Sequence, residues 1–489
     1  LTCWDELETK ELPPAFIETL YELTKDKKVL IFPNSRGRAE EIAVKLKKLS
    51  EQRKGHSFYF SHHSSIDKEL REHIEHFAKN NERHCFAIVC TSTLELGIDI
   101  GSVDLVVQVD APFSVSSLVQ RVGRSGRRKD STGSLQLFAT DPWELLQSLA
   151  CWDLYKENFN EPLKAEAKPF GLLFHQVLSL LKETSGITRA ALLEWIRTNP
   201  AFSSITDQEA NFLLDDMIEK DFIEDLKREL ILGLEGERLV SSRNFYTVFK
   251  TEENFHVMHA GKQIGEMPMS PQVEVGENIF LAARIWTIID VNPEAARIEV
   301  IPAKDGKKPL FPGSGGDIHS PIREKMLELL YQDSTGSELH ESAVLALHEL
   351  RQVFQAVPVT NLATDRPALQ NERGVEWYTF SGTAVNRTLA FLLKAAGISA
   401  AHDDRKSMFT FESSAGSVTW IIAQAKKQLA QLDKLIDEAL EHSPHVFTFT
   451  KWGIFLPDEY KKIYLMERYF DRENTAVFLD NVQVLLNGE

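Results

Sequence analysis

The sequence predicts an α/β protein: a doubly wound parallel sheet first, then a small helical domain, then a mixed β-rich and α/β remainder. Three observations carry this. Short apolar runs alternate with helical spacings from Lys28 to Thr140, the periodicity turns purely helical from Pro169, and a β pattern takes over from Asn244 to Ala303. A length of 489 residues leaves room for about three domains. The boundaries fall at 1–160, 161–242 and 243–489, the last divided into a β-rich part, 243–305, and an α/β part, 306–489.

In the first domain, Pro13 and Pro14 suit a helix's first turn, and Phe16, Ile17 and Leu20 give its apolar face. KVLIF (28–32) is a buried strand whose turn at Asn34 to Arg38 leads into a helix with Ala39, Ile42 and Leu46 inward. HSFYF and the HHSS turn (62–65), a helix over 66–80, CFAIVC (85–90), DLVVQV (104–109), a helix at SVSSLVQRV, and GSLQLFAT (133–140) follow. Asp141-Pro142-Trp143-Glu144 caps a closing helix. Strands so spaced lie parallel, which puts the turns at 34–38, 62–65, 91–99 and 110–116 on one edge, where open α/β sheets bind ligands.

Beyond Pro169, Leu172, Leu173, Val177 and Leu180 form one helical stripe, TRAALLEWIRTN a second helix, and Thr206 with Glu209 a capping box opening a third. ELILGLEGERLV reads as strand, glycine turn and strand, so three helices and a hairpin predict a winged helix. Its third helix carries Asp207, Glu209, Asp215, Asp216 and Glu219 against Lys220, a balance that repels phosphate, so the module is expected to be a strut and not a groove reader. NFYTVF, FHVMHAGKQIGEM, NIFLAARIWTIIDV and ARIEVIP then predict a small antiparallel sheet with turns at Gly261 and Asn292-Pro293. The remainder predicts helices at 321–331 and 338–356, strands VEWYTF and MFTFES, a helix over roughly 418–440 and a last helical pair from Pro457. Trp286, Trp377 and Trp420 are expected in the core.

Acidic residues outnumber basic ones 72 to 55, for a net charge of −17, so any basic surface for nucleic acid must be local. Cys85 and Cys90 bracket a strand and read as small core residues; no Cys/His cluster or His62–His63 spacing suggests a metal site. With no leader and no apolar run of membrane-spanning length, a cytoplasmic protein with no membrane partner is expected. The opening LTCW, without an initiator Met, is expected of a fragment.

The chemistry concentrates between Ala87 and Arg128. QRVGRSGR follows Gln120 with Arg121, Arg124 and Arg127 at three-residue steps, expected on one short helix with Arg124 and Arg127 projecting together. Adjacent guanidiniums call for an anion, and a phosphate chain supplies one. TSTLELGIDIG places the hydroxyls of Thr91, Ser92 and Thr93 after a strand, with Gly97 for a tight turn and Asp99 aimed into the cleft. The order NSR, HHSS, TSTLELGIDIG, QRVGRSGR resembles the second RecA-like motor domain of superfamily 2 helicases, and LELGIDIG, VDLVVQVDAP and LVQRVGRSGR resemble the large helicase-related (Lhr) family in particular.

That resemblance implies arginine fingers at Arg124 and Arg127, nucleotide-side contacts at Gln120, Asp99 and Gly97, and contacts to a tracked strand at Asn34, Ser35, Arg36, Thr91 and Ser92. HHSS departs from the more usual HHGS, with Ser64 where glycine permits close backbone approach. Phe311, in KPLFPG beside Lys304, Lys307 and Lys308, resembles an aromatic that stacks on a base, with a ring tucked under its own loop as the plain alternative. Thr383, at a helix start, and Arg387, one turn on, form a candidate phosphate contact, with simple capping as the alternative.

No segment fits GxxxxGK[ST], and no DExH box follows a strand. ATP and Mg2+ are therefore expected to be held mainly by a first motor domain outside this sequence, and the 489-residue chain is expected to be inactive as an ATPase by itself. The implied activity is an ATP-dependent 3′-to-5′ helicase on single-stranded DNA or an RNA:DNA hybrid; its pathway, repair or defence, and its protein partners are left open. The rivals are a non-catalytic nucleic-acid clamp built from a degenerate half-motor, which would have no need of the arginines, and a remodeller of nucleosomes or proteins.

Overall fold

A computed structural model describes residues 2–3, 12–95, 100–101, 103–126, 133–163, 166–247, 254–268, 275–276, 278–281, 284–292, 295–303, 316–332, 339–372, 374–412, 416–442 and 450–487. The first sheet is built from β1 (Thr2–Cys3), β2 (Lys28–Pro33), β3 (Tyr59–His62), β4 (Phe86–Cys90), β5 (Leu105–Val109) and β6 (Leu135–Ala139). All its pairings are parallel, in the order β1-β6-β5-β2-β4-β3. Strand side chains alternate between faces, so the same apolar runs build two cores. Val29, Ile31, Val89 and Val107 meet α1 (Pro14–Thr24) and α2 (Arg36–Gln52) through Phe16, Leu20, Ala39 and Ile42. Leu30, Phe32, Ile88 and Val106 meet Ile74 and Ala78 of α3 (Lys68–Asn80) on the other face. Burial on both faces is why these strands read as continuous Val/Ile runs, and the expected RecA-like parallel sheet is present, with β1 as an unread addition.

α4 (Val115–Val122) and α5 (Pro142–Lys156) complete this layer. α6 (Phe170–Thr184), α7 (Arg189–Thr198) and α8 (Asp207–Glu219) follow, then the hairpin β7 (Ile223–Asp225) and β8 (Leu230–Leu232), then α9 (Leu234–Ser241). The hairpin therefore lies earlier than expected, and the second half of ELILGLEGERLV is helix. Glu235 and Glu237 favour a helix's first turn. Gly236 lets that helix press on β7, since a Cβ there would come within 2.1 Å of the Phe222 carbonyl oxygen. Four of the five acids of α8 are matched within the chain: Asp207 with Arg197, Asp215 with Arg189, Asp216 with Lys220 and Glu209 with Lys168.

A second sheet holds β9 (Asn254–His259), β10 (Lys262–Pro268), β11 (Asn278–Leu281), β12 (Arg284–Asn292) and β13 (Arg297–Pro302). Its order is β10-β9-β13-β12-β11, antiparallel except where β13 joins β9. The first three residues of the expected NFYTVF strand, 244–246, instead lie in a 3-10 turn over Arg243–Tyr246 capped by Ser242, which buries Phe245 against His175 and Trp452. β10 lies on the HHSS turn: Glu266 N donates to Ser65 O at 2.5 Å, and a Cβ on Gly265 would sit 2.3 Å from that oxygen.

The last part comprises α10 (Ser320–Tyr331), α11 (Glu341–Phe354), β14 (Asp365–Asn371), β15 (Gly374–Tyr378), α12 (Thr383–Ala395), β16 (Ala401–Asp403), β17 (Met408–Glu412), α13 (Val418–Leu429), α14 (Leu432–His442), α15 (Asp458–Tyr464), α16 (Arg472–Asn481) and β18 (Gln483–Leu486). Its sheet runs β16-β17-β15-β14-β18. The expected helix over 418–440 is two helices; Leu429, Leu432, Ile436 and Leu440 keep one apolar spacing across the break and so hide it. Trp286 and Trp377 are buried as expected, but Trp420 is 48% exposed, lying over Gly416. α10 and α11 share one core with α4 and α5, in which Trp143 stacks on Tyr378 at 5.6 Å.

Candidate nucleotide and strand interface

Parallel strands end together, so the turns after Pro33, His62, Cys90 and Val109 share one edge of the first sheet. Asn34 donates from Nδ2 to the Ala111 carbonyl at 2.6 Å. Ser35 caps α2, its Oγ accepting from Arg38 N at 3.1 Å. Arg36 reaches Ser65 Oγ at 3.1 Å. Thr91 N donates to the His62 carbonyl at 3.3 Å, and the exposed Ser92 opens a 3-10 turn. The expected strand-contact residues of the motor are thus brought together on one edge.

Buried groups hold that edge. His62 bonds Glu75 at 2.9 Å through Nε2 and Thr93 at 2.9 Å through Nδ1, while His63 bonds the buried Glu40 at 2.8 Å. Burial pulls the His62 pKa down despite Glu75. These histidines tie the turn to α2 and α3, and among the described residues no cluster could hold a metal ion. Asp110 takes a left-handed φ of 62° and accepts from Thr140 N and Oγ1, both at 2.8 Å. Glu144 accepts from Ala111 N at 2.9 Å; burial, with the nearby Asp110 charge, pushes its pKa up to about 8.

The arginine segment differs from expectation in one respect. α4 ends at Val122 with Gly123 as its cap, so Arg124 follows the helix in a turn closed by Arg124 N on Arg121 O at 3.0 Å. The helix stops before Arg124, so the three-residue spacing does not align the arginines on one helical face. Gln120 is exposed. Arg121, 6% exposed, donates from Nε to Glu95 Oε1 at 2.7 Å and from Nη1 to Gln108 at 2.5 Å, and lies 5.1 Å from the Phe32 ring centre. Arg124, 8% exposed, donates from Nε to the Glu95 backbone carbonyl at 3.2 Å. Sequence reading missed Glu95, which organises both arginines; its only local signal was its place in TSTLELG. Gly97, Asp99, Arg127 and Phe311 lie outside the described residues.

At the second candidate contact, Thr383 N donates to the Ile318 carbonyl at 2.9 Å and Thr383 Oγ1 to Asp404 at 2.9 Å. Arg387 pairs with Asp317 and stands 4.2 Å from the Tyr469 ring centre. These groups hold the start of α10 against α12.

A family model described as "Helicase conserved C-terminal domain" matches residues 13–129, the span of this sheet and its arginine turn. Fold and motif order agree with that match and give the chain a superfamily 2 helicase relationship. Its curated relatives include Lhr helicases. It is 27% identical over 329 residues to the ATP-dependent helicase Lhr-Core of Saccharolobus solfataricus, covering 63% of this chain and 36% of the relative. It is 24% identical over 375 residues to the Lhr helicase/uracil glycosylase of Escherichia coli, covering 66% and 24%. Against the Lhr-Core of Methanocaldococcus jannaschii, identity is 40% over 139 residues, covering 25% and 16%. The chain thus spans 36% or less of the length of these relatives. Among solved structures, Mycobacterium smegmatis helicase Lhr bound to ssDNA and AMP-PNP shares the fold, with a TM-score of 0.69 at 17% identity over 99% of this chain and 69% of that one. No helix among the described residues is long and apolar enough to cross a membrane.

Proposed function

We propose that this chain is the strand-gripping, arginine-bearing half of an ATP-driven motor that moves along single-stranded nucleic acid. The observation that carries the reading is the convergence of Asn34–Arg36, Thr91–Ser92 and the Gln120–Arg124 turn on one edge of one parallel sheet. Asn34, Arg36 and the Thr91–Ser92 turn would grip backbone phosphates. Arg124 would exchange the Glu95 carbonyl for the γ-phosphate of ATP held by a second motor domain carrying the Walker lysine and DExH acids. Arg121 stays in its buried pair with Glu95 and fixes the base of the turn. ATP with Mg2+ supplies the phosphoryl transfer when bound; this chain's share is charge stabilisation, worth about 10³- to 10⁵-fold in rate for an arginine finger. The resemblance favours DNA and 3′-to-5′ movement, and the M. smegmatis helicase Lhr was solved bound to ssDNA.

The test is reconstitution. The 489-residue chain is expected to bind a single strand with salt-dependent affinity and show no ATPase, and to gain strand-stimulated ATPase once joined to a domain with a Walker A loop. Absence of turnover in the joined protein would overturn the reading. Parallel salt titrations on DNA and on an RNA:DNA hybrid identify the preferred track.

A further inference from the structure

A helix begins with backbone amides that lack intrahelical partners, and the first three amides of α4 are all met by side chains. Ser117 N donates to Ser114 Oγ at 3.1 Å, and the first intrahelical bond follows from Leu118 N to Ser114 O at 3.3 Å. The other two go to a residue far along the chain: Val115 N to Glu161 Oε1 at 2.6 Å and Ser116 N to Glu161 Oε2 at 2.9 Å. Ser116 Oγ adds a third bond to Oε2 at 2.5 Å. Burial opposes the charge on Glu161, but these bonds outweigh it and hold the carboxyl below its ordinary value. A carboxylate here also complements the positive end of the helix.

Glu161 does not belong to the sheet. It lies in the segment between α5 and α6, the covalent route from the sheet domain to the helical module. That segment also meets α10 and the residue that caps it: Glu157 pairs with Lys325 at 2.9 Å, and the Phe159 and His319 rings stand 6.1 Å apart. α4 is one rigid rod of eight residues, with Glu161 at its start and the Arg121–Arg124 turn at its end, tied sideways by Ser117 Oγ on Glu95 at 3.0 Å. A shift imposed on its first turn is carried about 12 Å to the arginines.

We propose that Glu161 is a positioning residue that couples the helical module to the arginine turn, so that a displacement of α6–α9 when the motor engages its strand is passed through the 157–163 segment and this carboxylate to α4. The inference rests on the role given above to Arg124, and adds how strand binding reaches it.

The experiment uses the protein joined to its Walker-bearing domain, with ATPase measured without and with a short oligothymidylate. Glu161→Gln is expected to cut the stimulation ratio by about fivefold or more, the low end of ordinary coupling between sites, with basal turnover and oligonucleotide affinity within about twofold of the parent. Ser116→Ala, which removes one of three bonds without altering charge, is expected to give a smaller loss in the same ratio, and it keeps the test open should the Glu161 variant fold poorly. Glu161→Asp is expected to recover part of the ratio. A purely local cap would lower melting temperature, or basal and stimulated rates alike, leaving the ratio unchanged; that outcome overturns the coupling. If Arg124→Ala also leaves turnover untouched, the fault lies with the arginine assignment itself.

Discussion

Glu95 supports the sharpest structural prediction. Its carboxylate, 7% exposed, accepts from Arg121 and from Ser117 Oγ, and its carbonyl accepts from Arg124. Glu95→Ala would leave the Arg121 guanidinium buried on the Phe32 ring with Gln108 as a neutral partner. Removing one member of a buried ion pair costs about 3 to 5 kcal/mol because the other charge is stranded. In a chain of several modules that cost falls on local opening, and native-state hydrogen exchange reads it directly. Amides of α4 are expected to lose protection by about 10²- to 10⁴-fold, while α6 and α13 keep theirs. Glu95→Leu combined with Arg121→Met, which removes both charges, should recover most of the protection. A loss below about threefold in Glu95→Ala would refute the view that this pair anchors the arginine turn.

Two further perturbations follow from the geometry. Glu144 binds its proton more tightly folded, with a pKa of about 8, than unfolded, near 4.5; its contribution to stability is complete below 4.5 and is lost as pH rises through 8. Glu144→Gln should flatten the fall in melting temperature across that window, and parallel wild-type and variant curves would contradict this. Gly265→Val places side-chain carbon against the Ser65 carbonyl, at a contact of 2.3 Å that backbone cannot easily relieve. It should cost about 1 to 3 kcal/mol and detach β10 from the HHSS turn, seen as faster exchange at Glu266 N, whereas Gly171→Ala, whose Cβ would meet its nearest neighbours at 3.7 Å, serves as a control for glycine loss away from that contact.

The parallel sheet was legible because strands buried on both faces spell Val/Ile runs, and its candidate edge because NSR and TSTLELG each follow a strand while QRVGRSGR closes the helix after another. What stayed hidden depended on distance or on masked periodicity. Glu95 and Glu161 act on α4 across 26 and 46 positions, with no local pattern to announce them. β14 was missed because Pro367 argues against a strand; it sits just before the ladder with β15 begins at Ala368. Thr383 and Arg387 carried the composition of a phosphate site, but Ile318, Asp404 and Asp317 take up those groups. The end of α4 at Val122 broke an otherwise regular arginine spacing that by itself reads as continuous helix.

Arg124→Ala, in the protein joined to its Walker-bearing motor domain, tests the central claim most directly. Strand-stimulated ATPase is expected to fall by about 10³-fold or more while single-strand affinity stays within about twofold, because the grip belongs to Asn34–Arg36 and Thr91–Ser92. Turnover at the wild-type rate would show that Arg124 is no finger and that the chain serves as a clamp.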